Sequence, residues 1–238
     1  MQIKVVFDKD SIDKNFHRGW GLSFLVEERI LFDTGEKGKW LLNNLEKMKV
    51  DIDKIDSVVI SHDRWDHWGG LWDLLKRRGK TKVYILPHFT EEFKEKAQSL
   101  QAKLIENTNL LQLSKDIFII GGDIYGKHPK GYIPEQVLIL RTKNGLTIIS
   151  GCARQGVLKI IEKVKKAFPS QIIYLMVGGF HLINSDKRTV EFIVESFKKM
   201  GVVKVGPTHC SGFSAKEIFQ EKYGNNFILI KAGVIIEV

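Results

Sequence analysis

The sequence has neither long apolar runs nor many cysteines, and both absences exclude a class of protein. No apolar stretch approaches the roughly 20 residues that a membrane-spanning helix needs, so we expect no membrane partner. The chain of 238 residues has only two cysteines, Cys152 and Cys210. Two thiols are too few for the disulfide framework of a small secreted protein, which favours a cytoplasmic protein. They could pair only if the fold brought them together.

From the sequence we expect neither a leader nor an internal linker. Residues 1–8 read as the start of a β-strand, without the apolar core of a signal peptide. No Ser-, Gly- or Pro-rich segment divides the chain, so we predict a single domain over residues 1–238. Hydrophobic residues make up 43% of the chain and charged residues 27%, proportions that suit a globular protein with a sizeable core.

The net charge of +9 raises the question of a nucleic-acid partner. The lysines are spread over the polar sides of the predicted helices, which favours solvated surfaces over a nucleic-acid interface. A positive balance does favour anionic partners in general. The charge alone identifies no partner and does not exclude nucleic acid, and the sequence leaves the oligomeric state open.

Strands and helices alternate along the chain. Apolar positions three and four residues apart predict helices at residues 36–48, 68–78, 90–100, 155–168, 186–200 and 214–223. Short β-branched runs predict strands at residues 2–7, 21–26, 29–32, 56–60, 82–86, 117–120, 136–142, 146–150, 171–177, 202–205, 227–231 and 233–237. An early hairpin followed by helical crossovers favours mixed sheets covered by helices. A strand that ends in a small-residue turn recurs at residues 30–35 and 147–152, which hints at two similar halves.

Residues 61–70 read Ser-His-Asp-Arg-Trp-Asp-His-Trp-Gly-Gly and follow a predicted strand. The adjacent pair Asp66 and His67 cannot share one face of a strand or helix, so we expect an irregular turn there. Candidate site residues follow several predicted strands: His62, Asp66, His67, Cys152, His181 and His209. Polar groups at the same end of neighbouring strands converge. Imidazole, thiolate and carboxylate together suit zinc or iron and do not suit magnesium or calcium.

The stretch resembles the signature of the metallo-β-lactamase superfamily, Ser-His-x-His-x-Asp-His followed by a Gly-Gly turn. Further matching stretches occur in order: Gly21-Leu22-Ser23, Leu31-Phe32-Asp33-Thr34-Gly35, Ser150-Gly151-Cys152, Gly178-Gly179-Phe180-His181-Leu182 and Pro207-Thr208-His209-Cys210-Ser211-Gly212. This series is similar to one branch, the predicted metal-dependent hydrolases grouped with the dihydropterin-ribofuranosyl-aminobenzene-phosphate synthases. The resemblance covers nearly the whole chain. It implies an α/β fold, a four-layer αβ/βα (αββα) sandwich of two mixed β-sheets flanked by helices, with a metal site at one edge.

The sequence departs from the family pattern at two positions. Arg64 and Arg154 stand where the family has histidines that, with His62, would build a first metal position. The resemblance implies that the second position is intact, with Asp66, His67 and His209 as ligands and Cys152 in the place of a further Asp or Cys ligand. His128 could supply another nitrogen, because the wider superfamily has a histidine in that region. A fixed guanidinium at Arg64 would disfavour a second dication nearby, so we expect one ion, zinc, with iron or manganese as alternatives.

These residues lead to a functional prediction, a metal-dependent hydrolase that acts on a small anionic, phosphorylated molecule through a metal-activated water. We assign catalytic roles to Asp66 and His181 and substrate contacts to Arg64, Arg154, His181 and Trp65. A buried or half-buried guanidinium at Arg64 would bind the anion bidentately. Trp65 could stack on a flat ring, although packing is favoured for it and for its neighbours Trp68 and Trp72. Asp33 is expected to hold the loops of the site together.

Two other functions remain open. The resemblance also implies a synthase activity on a pterin-linked ribofuranosyl-aminobenzene phosphate. The two arginines fit a third hypothesis, a degenerate anion-binding protein that keeps the fold without catalysis. Metal content together with turnover would separate the three.

Overall fold

The structure, a computed structural model, describes residues 1–121 and 133–238. The chain forms two compact units. The first unit consists of residues 1–108 and 230–238, and the second consists of residues 109–229. The single domain over residues 1–238 stays a prediction.

The first unit is built on a seven-stranded mixed sheet in the order β13-β1-β2-β3-β4-β5-β6. Its strands are β1 (Gln2–Phe7), β2 (Ser23–Val26), β3 (Ile30–Phe32), β4 (Ser57–Val59), β5 (Lys82–Ile85), β6 (Lys103–Glu106) and β13 (Ile235–Glu237). Pairing is antiparallel from β13 to β3 and parallel from β3 to β6. Glu27 and Glu28, between β2 and β3, have positive φ angles of 50° and 59°, as the central residues of a type I′ turn do, and Arg29 N closes the turn with a hydrogen bond to Val26 O at 3.1 Å.

The helices of the first unit pack against this sheet. They are α1 (Gly38–Lys47), α2 (Trp65–Trp68), α3 (Leu71–Arg78) and α4 (Glu91–Ser99). Leu41 and Leu45 of α1 and Leu74 of α3 share one buried cluster with Leu31 of β3 and Val58 of β4. Each helix therefore buries its apolar stripe, and the polar residues at the ends of β3 and β4 are held on a rigid scaffold.

The second unit contains a six-stranded mixed sheet in the order β12-β11-β10-β9-β8-β7. The strands are β7 (Leu110–Ser114), β8 (Ile117–Ile120), β9 (Val137–Thr142), β10 (Gly145–Ser150), β11 (Ile173–Gly179) and β12 (Val202–Thr208). Pairing is antiparallel from β7 to β10 and parallel from β10 to β12. The helices α5 (Val157–Ala167), α6 (Lys187–Lys199) and α7 (Phe213–Tyr223) share a buried cluster with its strands.

The predicted mixed sheets with accompanying helices are confirmed in both units. The recurring turn after residues 30–32 and 145–150 also has a structural counterpart, because β3 and β10 each end an antiparallel series and begin a parallel one. Among the described residues, no helix is long and apolar enough to cross a membrane.

Three details of the predicted elements are wrong. Residues 227–231 form no strand and make only an isolated bridge from Phe227 to Val205, because Ile228 N hydrogen-bonds to Val205 outside any ladder. The strands β6 and β7 were not predicted, and both are partly exposed. The helix predicted at 68–78 is two helices, α2 and α3, separated by Gly69-Gly70. A Cβ atom at Gly69 would lie 2.3 Å from Glu36 O, and one at Gly70 would lie 2.2 Å from Thr34 O, so only glycine fits at these two positions.

Candidate metal centre

Asp33, directly after β3, organises the polar residues that follow β4. Its buried carboxylate accepts hydrogen bonds from Ser61 N, from Ser61 Oγ and from His67 Nδ1, each at 2.7 Å. A histidine whose Nδ1 donates to a carboxylate carries its lone pair on Nε2, the tautomer assigned here from the hydrogen-bond network. The expectation that Asp33 holds the loops together is confirmed. The bond also gives His67 the orientation that a metal ligand needs.

Asp66 and His67 present two donor atoms close together. Asp66 Oδ2 lies 3.4 Å from His67 Nε2, and both side chains are buried. Two atoms bound to one tetrahedral zinc at about 2.0–2.2 Å lie roughly 3.3–3.5 Å apart. The pair therefore fits a metal ion without rearrangement. It lies on the single-turn helix α2, so the irregular turn predicted for these neighbours is wrong, because one helical turn suffices to bring both inward.

His62 joins this group from the end of β4. Its Nδ1 lies 2.9 Å from Ser61 Oγ, and its ring centroid lies 4.2 Å from that of His67. The ring is fully buried. The first unit thus brings together three of the predicted ligands, all from the motif at residues 61–70.

Arg64 and Trp65 lie at the surface. Arg64 precedes α2 and donates its backbone N–H to His62 O at 2.9 Å, while its side chain is exposed. The expected buried or half-buried guanidinium at this position is wrong, because exposure avoids the cost of desolvating the charge. Trp65 is 50% exposed, so packing is not its role, whereas Trp68 and Trp72 do pack, both against Phe93.

Glu36 is a residue near this group that the sequence reasoning missed. Burial raises the pKa of its carboxyl above the usual value, Lys37 offsets part of that rise, and the Asp66 carboxylate adds to it. Its place directly after the Asp33-Thr34-Gly35 turn was the signal that could have found it. A second carboxylate near Asp66 makes the region more anionic, and an anionic region attracts a cation.

The candidate residues of the second unit follow three neighbouring strands. Cys152 comes after β10, His181 after β11 and His209 after β12. His181 and His209 have positive φ angles of 56° and 50°, and Ala153 has one of 54°. Backbone strain of this kind clusters at functional sites because the surrounding structure must hold it in place. The predicted convergence at one edge is thus confirmed within this unit.

The side chains at this edge form a sulfur-rich group. Cys152 Sγ lies 3.6 Å from His181 Nδ1 and 3.0 Å from Cys210 Sγ. Both cysteines are buried, and His181 is exposed. Cys210 was not among the predicted site residues, although its position beside His209 after a strand could have indicated it. Thiolate and imidazole donors in this arrangement suit a soft metal ion.

Arg154 lies beside a cleft in the same unit. Its side chain is half-buried, and its backbone N–H donates to the buried carboxylate of Glu135 at 2.6 Å. The cleft has a volume of about 380 Å³. Its lining is mostly apolar, with two cationic side chains and one histidine: Ala153, Arg154, Gly156, Val157, Leu158, Lys159, Phe180, His181, Leu182, Thr189, Phe192 and Ile193. It offers apolar walls and cationic groups together. His128, the other predicted nitrogen donor, lies outside the described residues.

The ordered motifs and this donor chemistry agree with a comparison to protein families. The family model described as the metallo-β-lactamase superfamily matches residues 21–154, more than half of the chain. The chain belongs to the metallo-β-lactamase superfamily. The resemblance inferred from the motif at residues 61–70 is therefore confirmed.

Known proteins are similar to this chain over most or all of its length. A 7,8-dihydropterin-6-methyl-4-(β-D-ribofuranosyl)-aminobenzene-5′-phosphate synthase of Methanocaldococcus jannaschii is 27% identical, over 91% of this chain and 89% of the relative. The crystal structure of Tm1679, described as a metal-dependent hydrolase of the β-lactamase superfamily, superposes with a TM-score of 0.84 at 29% identity, over 100% of this chain and 99% of that one. YhfI from Bacillus subtilis, a metallo-β-lactamase fold protein, has a TM-score of 0.71 at 15% identity, over 100% and 98% of the two chains, which shows the shared fold alone.

These comparisons confirm two predictions. The fold class, two mixed sheets flanked by helices in the manner of this superfamily, is correct. The predicted similarity to the dihydropterin-linked synthases is correct as well. The roles of the individual site residues stay predictions.

Proposed function

We propose that the protein is a metal-dependent hydrolase that acts on a small anionic, phosphorylated molecule. The observation that carries the proposal is the Asp33–His67 hydrogen bond of 2.7 Å together with the 3.4 Å separation of His67 Nε2 and Asp66 Oδ2. A buried histidine oriented by a carboxylate and paired with a second carboxylate is typical of a metal ligand. The likeness to a structure described as a metal-dependent hydrolase supports the reaction class.

The proposed ligands follow the family pattern. Asp66, His67 and His209 hold one ion, with Cys152 as a further ligand and His62 as the remnant of the first position. Zinc is the proposed metal because imidazole, carboxylate and thiolate donors favour it, with iron or manganese as alternatives. When bound, such an ion supplies a Lewis acid and lowers the pKa of a water molecule. Asp66 serves the reaction through this ligation.

The chain's own side chains then bind and orient the substrate. Arg154, half-buried beside the cleft of about 380 Å³, binds an anionic oxygen, and the apolar walls receive the uncharged part of the molecule. Arg64 contributes an exposed positive charge, and the half-exposed Trp65 provides a ring face. His181, exposed and held by a left-handed backbone, contacts the substrate and supplies a proton to the leaving group.

Hydrolysis of a chromogenic aryl phosphodiester tests the proposal. Wild-type protein loaded with zinc should turn the ester over, and removal of metal by a chelator should abolish turnover. Asp66→Ala and His209→Ala should each lose both metal and activity, and His62→Ala should lose less. His88→Ala, an exposed histidine after β5 outside the proposed set, serves as the matched control. Normal metal content and turnover in both Asp66→Ala and His209→Ala would refute the assignment.

A synthase reaction is the second candidate, and the 27% identity to the Methanocaldococcus jannaschii synthase over 91% of the chain favours it. The test is to supply a dihydropterin that carries a leaving group on its 6-methyl carbon together with a ribofuranosyl-aminobenzene phosphate, and to search by mass spectrometry for the coupled product and the released leaving group. Coupled product without ester hydrolysis would favour the synthase. Anion binding without either reaction would favour the degenerate binding protein that Arg64 and Arg154 suggest.

A further inference from the structure

The two cysteines of the chain meet in the second unit. They lie 58 positions apart in sequence, yet their sulfur atoms are 3.0 Å apart. Each is only 3% exposed, and they do not form a disulfide. Cys152 follows β10 and Cys210 follows β12, so two loops meet across the end of the intervening strand β11. The contact is therefore a product of the fold of this unit.

The chain around the sulfur pair is built to permit this approach. Gly179 ends β11, and a Cβ atom there would lie 2.8 Å from Cys210 Sγ and 3.1 Å from Cys152 Cα. Only glycine leaves room for the Cys210 thiol and the backbone of Cys152. The loop of Cys210 is also fixed, because its carbonyl accepts hydrogen bonds from Leu182 N and Ile183 N at 3.1 Å. The pair is thus held in place by backbone structure on both sides.

The distance between the sulfur atoms favours a disulfide over a shared metal ion. A disulfide has a bond length of about 2.05 Å, so the two sulfurs need to approach by roughly 1 Å. Two thiolates bound to one zinc at about 2.3 Å would lie roughly 3.7 Å apart, wider than the observed contact. His181 Nδ1, at 3.6 Å from Cys152 Sγ, could complete such a metal group. A zinc ion bound by both sulfurs is consequently an outcome that the experiment must distinguish.

We propose that Cys152 and Cys210 form a reversible disulfide that removes the Cys152 thiolate from the metal ligands. The second part rests on the proposed function, in which Cys152 is a ligand. Because both thiols are buried, the oxidant is a small peroxide. One thiolate attacks the peroxide oxygen to give a sulfenic acid and hydroxide, and the other thiol displaces water from that sulfur. In sum, two thiols and one hydrogen peroxide give one disulfide and two waters, and a dithiol reductant reverses the reaction.

The experiment compares wild type with Cys210→Ser and Cys210→Ala, because neither variant changes a proposed ligand. Each protein is treated with one equivalent of hydrogen peroxide, alkylated, digested and analysed by mass spectrometry, with and without metal. Wild type should lose both thiols within one chain and give a Cys152–Cys210 linked peptide that dithiothreitol reverses. Zinc affinity of oxidised wild type should fall by about tenfold or more and recover after dithiothreitol, while neither variant should give a linked peptide.

Three results would overturn the proposal. The first is a wild type whose thiols stay open to alkylation, or whose single cysteine is oxidised without forming the linked peptide. The second is a zinc ion that both sulfurs bind and that prevents disulfide formation. The third is a disulfide that leaves zinc affinity unchanged. The Cys152–Cys210 disulfide is detected in wild type alone, so a variant that fails to fold does not affect this result. The hydrolase activity of the reduced protein tests the proposed function separately.

Discussion

Replacement of Asp33 by asparagine should move the ring proton of His67 from Nδ1 to Nε2. The carboxylate now accepts from Ser61 N, Ser61 Oγ and His67 Nδ1, each at 2.7 Å. In Asp33→Asn the amide oxygen can keep the bond to Ser61 N, which places the amide NH₂ group toward His67 Nδ1. That nitrogen must then accept, so the proton moves to Nε2. Nε2 is the atom that the proposed function assigns to the metal.

Asp33→Asn should lower zinc affinity more than it lowers the stability of the metal-free protein. Removal of a carboxylate behind a ligating histidine costs roughly 10–100-fold in metal affinity, about 1.4–2.7 kcal/mol. The site keeps its shape and most of its hydrogen bonds, so the free energy of unfolding of metal-free protein should fall by only about 1–2 kcal/mol. Competition with a chromogenic chelator measures zinc affinity, and thermal unfolding with excess chelator measures stability.

Ser61→Ala is the matched control for this prediction. It removes the bond from Ser61 Oγ to Asp33 but keeps the Asp33–His67 bond, so zinc affinity should change less than in Asp33→Asn. A folded Asp33→Asn protein with wild-type zinc affinity would refute the reasoning.

Further changes should have distinct results. Arg64→His should weaken phosphate binding by about tenfold, the lower end for charge-assisted bonds because the side chain is exposed. Titration of wild type and Arg64→His with phosphate at matched ionic strength checks this. Equal phosphate affinities of the two proteins would show that Arg64 does not bind the anion. Burial raises the pKa of Glu36 in the folded chain, so its contribution to stability is fully present below the unfolded pKa and is lost as the pH rises through the folded pKa. In Glu36→Gln the free energy of unfolding, measured with chelator present, should therefore decrease less with rising pH than in wild type. The same pH dependence in both proteins would contradict this role of Glu36. Gly179→Ala should destabilise the protein by about 1–3 kcal/mol, because the new Cβ would lie 2.3 Å from Gly151 O, and unchanged chemical denaturation would refute this close approach.

Much of the fold follows from local sequence patterns, and the exceptions have physical causes. Strongly amphipathic segments such as α5 and α6 were located within two residues of their observed ends. The edge strand β7 was missed because its five residues, Leu110–Ser114, include no β-branched or aromatic residue, so their composition does not indicate a strand. Residues 227–231 have the apolar composition of a strand but lack a partner along their length, because sheet pairing is decided by the tertiary fold.

The candidate site was predictable where its residues share one motif. His62, Asp66 and His67 were found together because nearness in sequence brought them together in space. The contact of Cys152 with Cys210 depends on how two distant loops meet at the end of β11, which spacing alone does not reveal. The exposure of Arg64 likewise depends on the start of α2, and the family pattern only suggested a charge near a metal.

The metal content of the purified, reduced protein tests the central proposal most directly. Elemental analysis after dialysis against zinc should give about one equivalent per chain, because the proposed second position keeps its ligands whereas Arg64 and Arg154 replace two histidines of the first in the family pattern. The same measurement on Asp66→Ala and His209→Ala should give almost none, and on His88→Ala the wild-type value. A wild type that retains no metal, or variants that retain as much as wild type, would contradict the account.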